Sequence, residues 1–410
     1  MINTPKSLRL QIAIVGRVNS GKSSFLNLVT GQSVAITSPE RGTTTDVVEK
    51  AQELIPLGPV LWLDTAGTDD DSALGAERGR RTMQAVDRAD ILLLVTTPNV
   101  WGRDEEQLLD AARVRNIPVI PVVNQYDREA CRPEFLERIG GSCGSPAITA
   151  NSLGGPTERD RVLGVLKQAL ISVAPESFLT PPPLLGDLLP GKGGLVVMIV
   201  PIDIQAPKGR LILPQVQALR DGLDADARVM VVKESQYVKA LENFRTPPDL
   251  VVCDSQVVDF MVANTPEDVR CTTFSILLSR LKGDIAKFTA GVRAIDNLQP
   301  GDRVLMAEAC THHATHEDIG RVKIPALLEK RAGGKLEFEF SGGRDFPEDL
   351  SRYKLIVHCG SCMLNRRETL RRIERAGNIP ITNYGMAISH CRGVLRRVMS
   401  PFPEALKELD

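Results

Sequence analysis

The chain has 410 residues, 42% of them hydrophobic and 25% charged, an ordinary globular composition with length for about two to four domains. Its net charge of −1 and aromatic content of 4% give no bulk case for binding nucleic acid or an anionic membrane. No window approaches ~18 unbroken apolar residues, so no transmembrane helix is expected. The start, MINTPKSLRLQIAIVG, lacks the apolar core and cleavage site of a signal peptide. The cytoplasm is therefore expected, where the eight cysteines are ligands, catalysts or core rather than disulfides.

In chain order, LQIAIVG, VLWLDTAG, DILLLVTT, IPVIPVVNQ and SPAIT read as buried strands, and KSSFLNLV has a helical period. Strands alternating with helices predict an α/β domain with a mostly parallel sheet over 1–175. A Pro- and Gly-rich linker is expected over 176–192. A small α/β unit follows over 193–268 with no phosphate loop and no ligand cluster, which favours a structural or oligomerising role. The last segment, 269–410, opens on a long helical stretch, FSILLSRLKGDIAKFTAGVRAIDNL, breakable at Gly283. DRVLMAEAC, KLEFEF and YKLIVHCGSC are strand-like, and RRETLRRIERAG is a basic helix ending at Gly377. The fold class expected is thus α/β, a P-loop domain followed by two smaller α/β domains.

Gly16 to Ser23, GRVNSGKS, fits G-x-x-x-x-G-K-S between a strand and a helix. Gly16 and Gly21 let the backbone turn its N–H groups toward phosphate, and the helix N-terminus adds positive potential. Lys22 is expected on the β- and γ-phosphates and Ser23 on magnesium, with Asn19, Ser20 and Ser24 in the same nucleotide-binding loop. DTAG ends a strand: Asp64 would hold magnesium, and Gly67 would direct an N–H to the γ-phosphate. Thr44 of GTTTD is the expected magnesium ligand from the intervening loop, with Thr43 the alternative. In NQYD, Asn124 to Asp127, the last carboxylate can accept from guanine N1 and N2 protons that adenine does not present. Thr149 and Ala150, in TAN, offer backbone to the guanine carbonyl. Lys22, Thr44, Asp64 and Gly67 would carry the catalysis of GTP hydrolysis.

This ordered set resembles the TrmE and Era type of small GTPase over about 10–170, with GxxNxGKSS and a GTTxD switch. The resemblance implies GTP/GDP and Mg2+ as ligands and K+ at Asn19. The family pattern is N-K-x-D, and here Gln125 replaces the lysine that packs over the base. Thr68 follows Gly67 where a glutamine would orient water, so slow hydrolysis is expected.

All five histidines lie between His312 and His390, and four of the eight cysteines lie between Cys310 and Cys391. EACTHH and VHCGSC close predicted strands, so Cys310, Cys359 and Cys362 can meet at the carboxyl edge of one sheet. Spacing alone leaves three readings open: a CxxC redox pair, a Cys3His zinc site, and an iron-sulfur cluster on three cysteines. Cys131, Cys143, Cys253, Cys271 and Cys391 read as small core hydrophobes, and His313 and His316 as a solvated face or cap. The arginines from Arg366 to Arg375 read as a solvated face, or a dock for an acidic partner or anionic ligands such as cyanide.

Cys-x-His, 45 residues, then His-Cys-x-x-Cys, behind a TrmE-like GTPase domain, resembles the HydF family of FeFe-hydrogenase maturation proteins. The resemblance covers essentially the whole chain: GTPase, dimerisation and cluster domains. It implies a 4Fe-4S cluster on Cys310, Cys359 and Cys362, with His358 and His312 as candidates for the fourth position or its surroundings; Glu308, two residues before Cys310 and so on the same strand face, is a carboxylate alternative. It also implies a homodimer that carries a transient diiron precursor, made by the radical-SAM maturases HydE and HydG, to apo FeFe hydrogenase. The alternative reading is a TrmE-like RNA-modification or ribosome-assembly GTPase with a structural zinc.

Overall fold

Short apolar runs bounded by glycine become central strands here because helices cover both faces of the sheets they form. The computed structural model describes residues 4–31, 48–65, 73–124, 130–202, 211–309, 318–343 and 345–410, with the backbone alone over 73–78. The chain divides into two compact units, Met1–Pro181 and Pro182–Asp410.

The first unit runs β1 (Leu10–Val15), α1 (Lys22–Thr30), β2 (Val48–Leu54), β3 (Gly58–Asp64), α2 (Ala73–Arg88), β4 (Ile91–Thr96) and α3 (Arg103–Val114). It continues through β5 (Val119–Asn124), α4 (Pro133–Cys143), β6 (Ile148–Ala150), α5 (Pro156–Val173) and a single turn, α6 (Glu176–Leu179). The sheet order is β2-β3-β1-β4-β5-β6, with β2 antiparallel to β3 and the remaining pairs parallel. Alternate residues of β1 feed opposite cores: Ile12 and Ile14 pack with Phe25 and Leu166, whereas Ala13 and Val15 pack with Leu92 and Leu109. Strand order reverses around β1, so the loop after it opens at a topological switch point, where open α/β sheets bind ligands.

The second unit holds two parallel four-stranded sheets. One is built from β7 (Leu195–Ile199), α7 (Leu213–Asp224), β8 (Arg228–Val232), α8 (Glu234–Glu242), β9 (Leu250–Cys253), α9 (Val258–Asn264) and β10 (Arg270–Thr273), in the order β10-β9-β7-β8. α10 (Phe274–Lys282) and α11 (Ile285–Gly291) then lead to the other. That sheet takes β11 (Arg303–Ala307), α12 (Ile324–Ala332), β12 (Glu337–Ser341), β13 (Leu355–His358), α13 (Arg366–Ala376), β14 (Ile381–Asn383) and α14 (Tyr384–Cys391), in the order β12-β11-β13-β14.

The two sheets share one continuous core, from Val197 and Val251 through Ile276 and Leu277 to Leu305 and Ile356. The segments over 193–268 and 269–410 thus lie within one compact unit. The expected linker over 176–192 is only partly a linker. Leu184, Leu185, Leu188 and Leu189 are buried in the second unit's core, and the Asp221 carboxylate accepts the N–H groups of Leu184, Leu185 and Gly186 at 3.0, 2.8 and 2.8 Å. The long helical stretch breaks at Gly283, and Asp284 caps α11 by accepting from the Lys287 N–H. No helix among the described residues is long and apolar enough to cross a membrane.

Candidate functional site

The P-loop leaves β1 at Gly16, whose φ of +148° favours glycine and where a Cβ would stand 2.1 Å from the Val95 carbonyl of β4. The loop can thus lie flat on the sheet edge. The buried Lys22 ammonium donates to the carbonyls of Arg17 and Gly16 at 2.6 and 3.1 Å, so it is held at the loop's concave side. Ser23 Oγ donates to Asp64 Oδ2 at 2.7 Å, which joins the two residues expected to serve magnesium. The other carboxylate oxygen, Asp64 Oδ1, is buried with no hydrogen-bond partner among the described residues, as is Ser20 Oγ. Burial raises the Asp64 pKa, opposed by the Ser23 hydrogen bond, Lys22 and the Thr65 N–H. A buried carboxylate with an open oxygen beside a hydroxyl is a donor set for a hard cation, and Mg2+ fits it. A cavity of about 390 Å3 lies alongside, lined by Asn19, Gly21, Lys22, Ser23, Ser24 and Leu153.

Asn124, expected as a nucleotide contact, is fully buried at the end of β5. Its amide donates to Ser20 O at 3.2 Å and its Oδ1 accepts the Ser152 N–H at 3.2 Å. It ties the P-loop to the loop after β6. Thr149 and Ala150 are in β6, next to β5, and the Thr149 carbonyl accepts from Arg161 at 2.7 Å. Thr44, Gly67 and Asp127, with Thr43 and Gln125, lie outside the described residues.

In the second unit, β11 and β13 are adjacent and parallel, with Ala307 opposite His358. Their carboxyl ends bring Glu308, Ala309 and Cys359 side by side. The Cys359 N–H donates to Ala307 O at 2.9 Å, and the Ala309 N–H donates to Cys359 Sγ at 3.0 Å. Burial pushes the Cys362 thiol up, opposed by Lys282. Cys310 and His312, with His313 and His316, lie outside the described residues, and among the described residues no three His, Cys, Asp or Glu side chains converge.

Two candidates for the fourth position can be compared directly. His358 is fully buried, with Nε2 at 3.4 Å from Arg372 Nη1 and Nδ1 at 2.9 Å from Cys359 O. A guanidinium only donates, so Nε2 accepts and Nδ1 carries the proton. Burial and Arg372 push the ring down to about 3, which keeps it neutral. Both nitrogens thus have contacts within the protein. Glu308 differs. It is 2% exposed, Oε2 accepts from Arg321 Nη2 at 3.1 Å, and Oε1 is buried with no hydrogen-bond partner among the described residues. Gly320 keeps this space open: a Cβ there would stand 2.9 Å from Glu308 Oε1 and 2.3 Å from Tyr384 Oη. Arg321 and Tyr384 were not signalled by spacing, since they reach the site from different elements.

Three arginines of the basic helix serve structure. Arg366 donates to the carbonyls of Leu281 and Gly283 at 2.6 and 3.1 Å, closing the end of α10. Arg372 is buried, donating to Gly343 O at 2.6 Å, and Arg375 donates to Pro347 O at 2.6 Å. Cys253 and Cys271 are buried on the adjoining strands β9 and β10, and burial pushes Cys271 up to about 11, as fits inert core thiols.

The α/β sheet, the P-loop at its switch point and the Ser23–Asp64 pair define the first unit as a P-loop GTPase domain. The family model described as 50S ribosome-binding GTPase matches residues 11–125. The tRNA modification GTPase MnmE of Synechococcus sp. (strain JA-3-3Ab) is 40% identical over 157 residues, 36% of this chain and 32% of that protein. GTPase Era of Haemophilus ducreyi is 31% identical over 137 residues, 33% of this chain and 45% of its own length. The chain thus spans about a third to under a half of these relatives. A crystal structure of an Aquifex aeolicus Era variant bound to GDP.AlF4- aligns with a TM-score of 0.35 at 21% identity, covering 62% of this chain and 97% of that one.

Two further family models account for the second unit: the Hydrogen maturase F dimerization domain matches 184–283 and the Hydrogen maturase F tetramerization domain matches 286–401. The chain belongs to the hydrogen maturase F family. The boundary between the two matches falls at the Gly283 break, after α10 rather than before it. The reading as an RNA-modification or ribosome-assembly GTPase rests only on the first unit, the part that MnmE and Era share with this chain.

Proposed function

We propose that this protein is a GTP-hydrolysing scaffold and carrier in FeFe-hydrogenase maturation. Cys310, Cys359 and Cys362 hold a 4Fe-4S cluster, and Glu308 takes the fourth position. The observation that carries this reading is the Oε1 of Glu308, buried beside the Cys359 loop with no partner among the described residues, in a chain of the hydrogen maturase F family. The Ala309 N–H on Cys359 Sγ supports thiolate ligation. A cluster with one iron free of cysteine supplies a position that can take and release a ligand. The cargo is the diiron precursor built by HydE and HydG, and its recipient is apo FeFe hydrogenase.

At the other site Ser23, Asp64 and Thr44 hold Mg2+, Lys22 and the Gly67 N–H meet the phosphates, Asp127 reads guanine, and Asn19 holds K+. GTP acts as a switch on partner exchange, at a slow intrinsic rate. Self-association uses the sheet edges of the second unit. Edge strand β8 exposes Met230 and Val231, and edge strand β12 exposes Phe340.

Protein purified without oxygen should contain about four irons and four acid-labile sulfides per chain. Cys359→Ser should lose most of both, whereas Glu308→Gln should keep the cluster and change its electron paramagnetic resonance spectrum. Stoichiometric zinc without sulfide would end the scaffold reading.

A further inference from the structure

Arg17, the second residue of the P-loop, is held from outside the loop. Its Nε and Nη2 donate to Oε1 and Oε2 of Glu105 at 2.7 and 2.8 Å, a two-pronged pairing, with Asp104 3.3 Å from Nε. Glu105, in the first turn of α3, is 1% exposed. Its Oε2 also accepts the Gly102 N–H at 2.8 Å. The carboxylate is therefore fixed by its own helix start before it meets Arg17.

The backbone beneath Arg17 is part of the phosphate cradle. The Arg17 carbonyl accepts the Lys22 ammonium at 2.6 Å and the Ser20 N–H at 3.3 Å. Any shift of Arg17 thus moves the acceptor that holds Lys22. The loop before α3 is anchored in turn: Asn99 donates to Ala130 O and accepts the Arg132 N–H, both at 3.1 Å. Those partners lie just downstream of NQYD. The segment from Asn99 to Glu105 therefore spans from the chain after the base-reading loop to the P-loop. A buried carboxylate is costly unless its charge is matched, so a pairing this complete fixes one loop geometry.

We propose that this segment braces the P-loop and that Glu105 is a positioning residue for nucleotide binding, acting through Arg17 on the Lys22 cradle. Glu105 does not itself touch nucleotide. A brace of this kind holds ground state and transition state alike, so its loss appears in KM more than in kcat.

The test uses the full-length protein, with equilibrium binding of fluorescent GDP and GTP analogues and steady-state GTP hydrolysis. Glu105→Gln keeps an acceptor for the Gly102 N–H but breaks the ionic fork, and Arg17→Lys keeps the charge but loses the fork. Each should weaken both nucleotides about tenfold and raise KM similarly, with kcat changed less than about threefold. The double variant should be no weaker than the worse single one, because both remove the same link. Asp104→Asn should stay within about twofold of wild type. If Glu105→Gln does not fold, Arg17→Lys, whose side chain is partly exposed, decides the matter alone. Affinities within about twofold of wild type in the folded variants would overturn the proposal, as would lowered melting temperature with unchanged affinity, or fully multiplicative losses in the double variant.

Discussion

Asn19 adopts a φ of +61°, a left-handed conformation that asparagine tolerates better than most residues, so the loop that presents its side chain is shaped by backbone preference. If it holds K+, GTP hydrolysis should be faster in potassium than in sodium salts. Asn19→Gly, which keeps the backbone and removes the side-chain oxygen, should abolish that difference; equal rates in the wild-type protein would remove the role. The P-loop, Ser23 and Asp64 were legible because their spacing and the strand before them state the chemistry. His358 was not. Its place before Cys359 suggests a ligand, but says nothing of Arg372, fourteen positions later on α13, which donates to its Nε2, or of Phe288, 6.5 Å from its ring. A sequence window shows neighbours in the chain, whereas a buried imidazole is claimed by neighbours in space. Asn124 teaches the same lesson: its motif was readable, but its amide spans two loops within the protein.

At the scale of elements, most strands and the Gly283 break follow from apolar runs and punctuating residues. The stretch through residues 184–189 does not, because Pro and Gly around it signal a linker while its leucines are drawn into a core. Asp221 makes that docking tolerable by accepting its three N–H groups. Asp221→Ala should leave those donors unmatched and destabilise the second unit by about 2–4 kcal/mol. Denaturant unfolding and hydrogen exchange at Leu184, Leu185 and Gly186 check this. Exchange that stays as slow as in wild type would show that the segment is held by its leucines alone. The carboxyl ends of β11 and β13 show the converse case. Each strand was readable, but only their adjacency puts the Ala309 N–H on Cys359 Sγ.

For the whole molecule, the family matches name dimerization and tetramerization domains in the second unit, and two edge strands there carry exposed apolar side chains. Met230 and Val231 point to opposite faces of β8 and are 38% and 39% exposed, so among the described residues neither face of this edge is fully covered. Met230→Lys combined with Val231→Lys should reduce the assembled mass measured by light scattering while GTP hydrolysis per chain persists. An unchanged mass would move the interface elsewhere. By itself the sequence determined the α/β class, the GTPase loops and the cysteine spacing, because these depend on local period and on residue types that few other chemistries require. Tertiary structure alone decided that the second and third segments share one core, that three arginines of α13 serve structure, and which described polar groups stand against Glu308 and the His358 ring. Those outcomes depend on which strand ends lie side by side and on which polar atoms find partners there, and neither is encoded in distance along the chain.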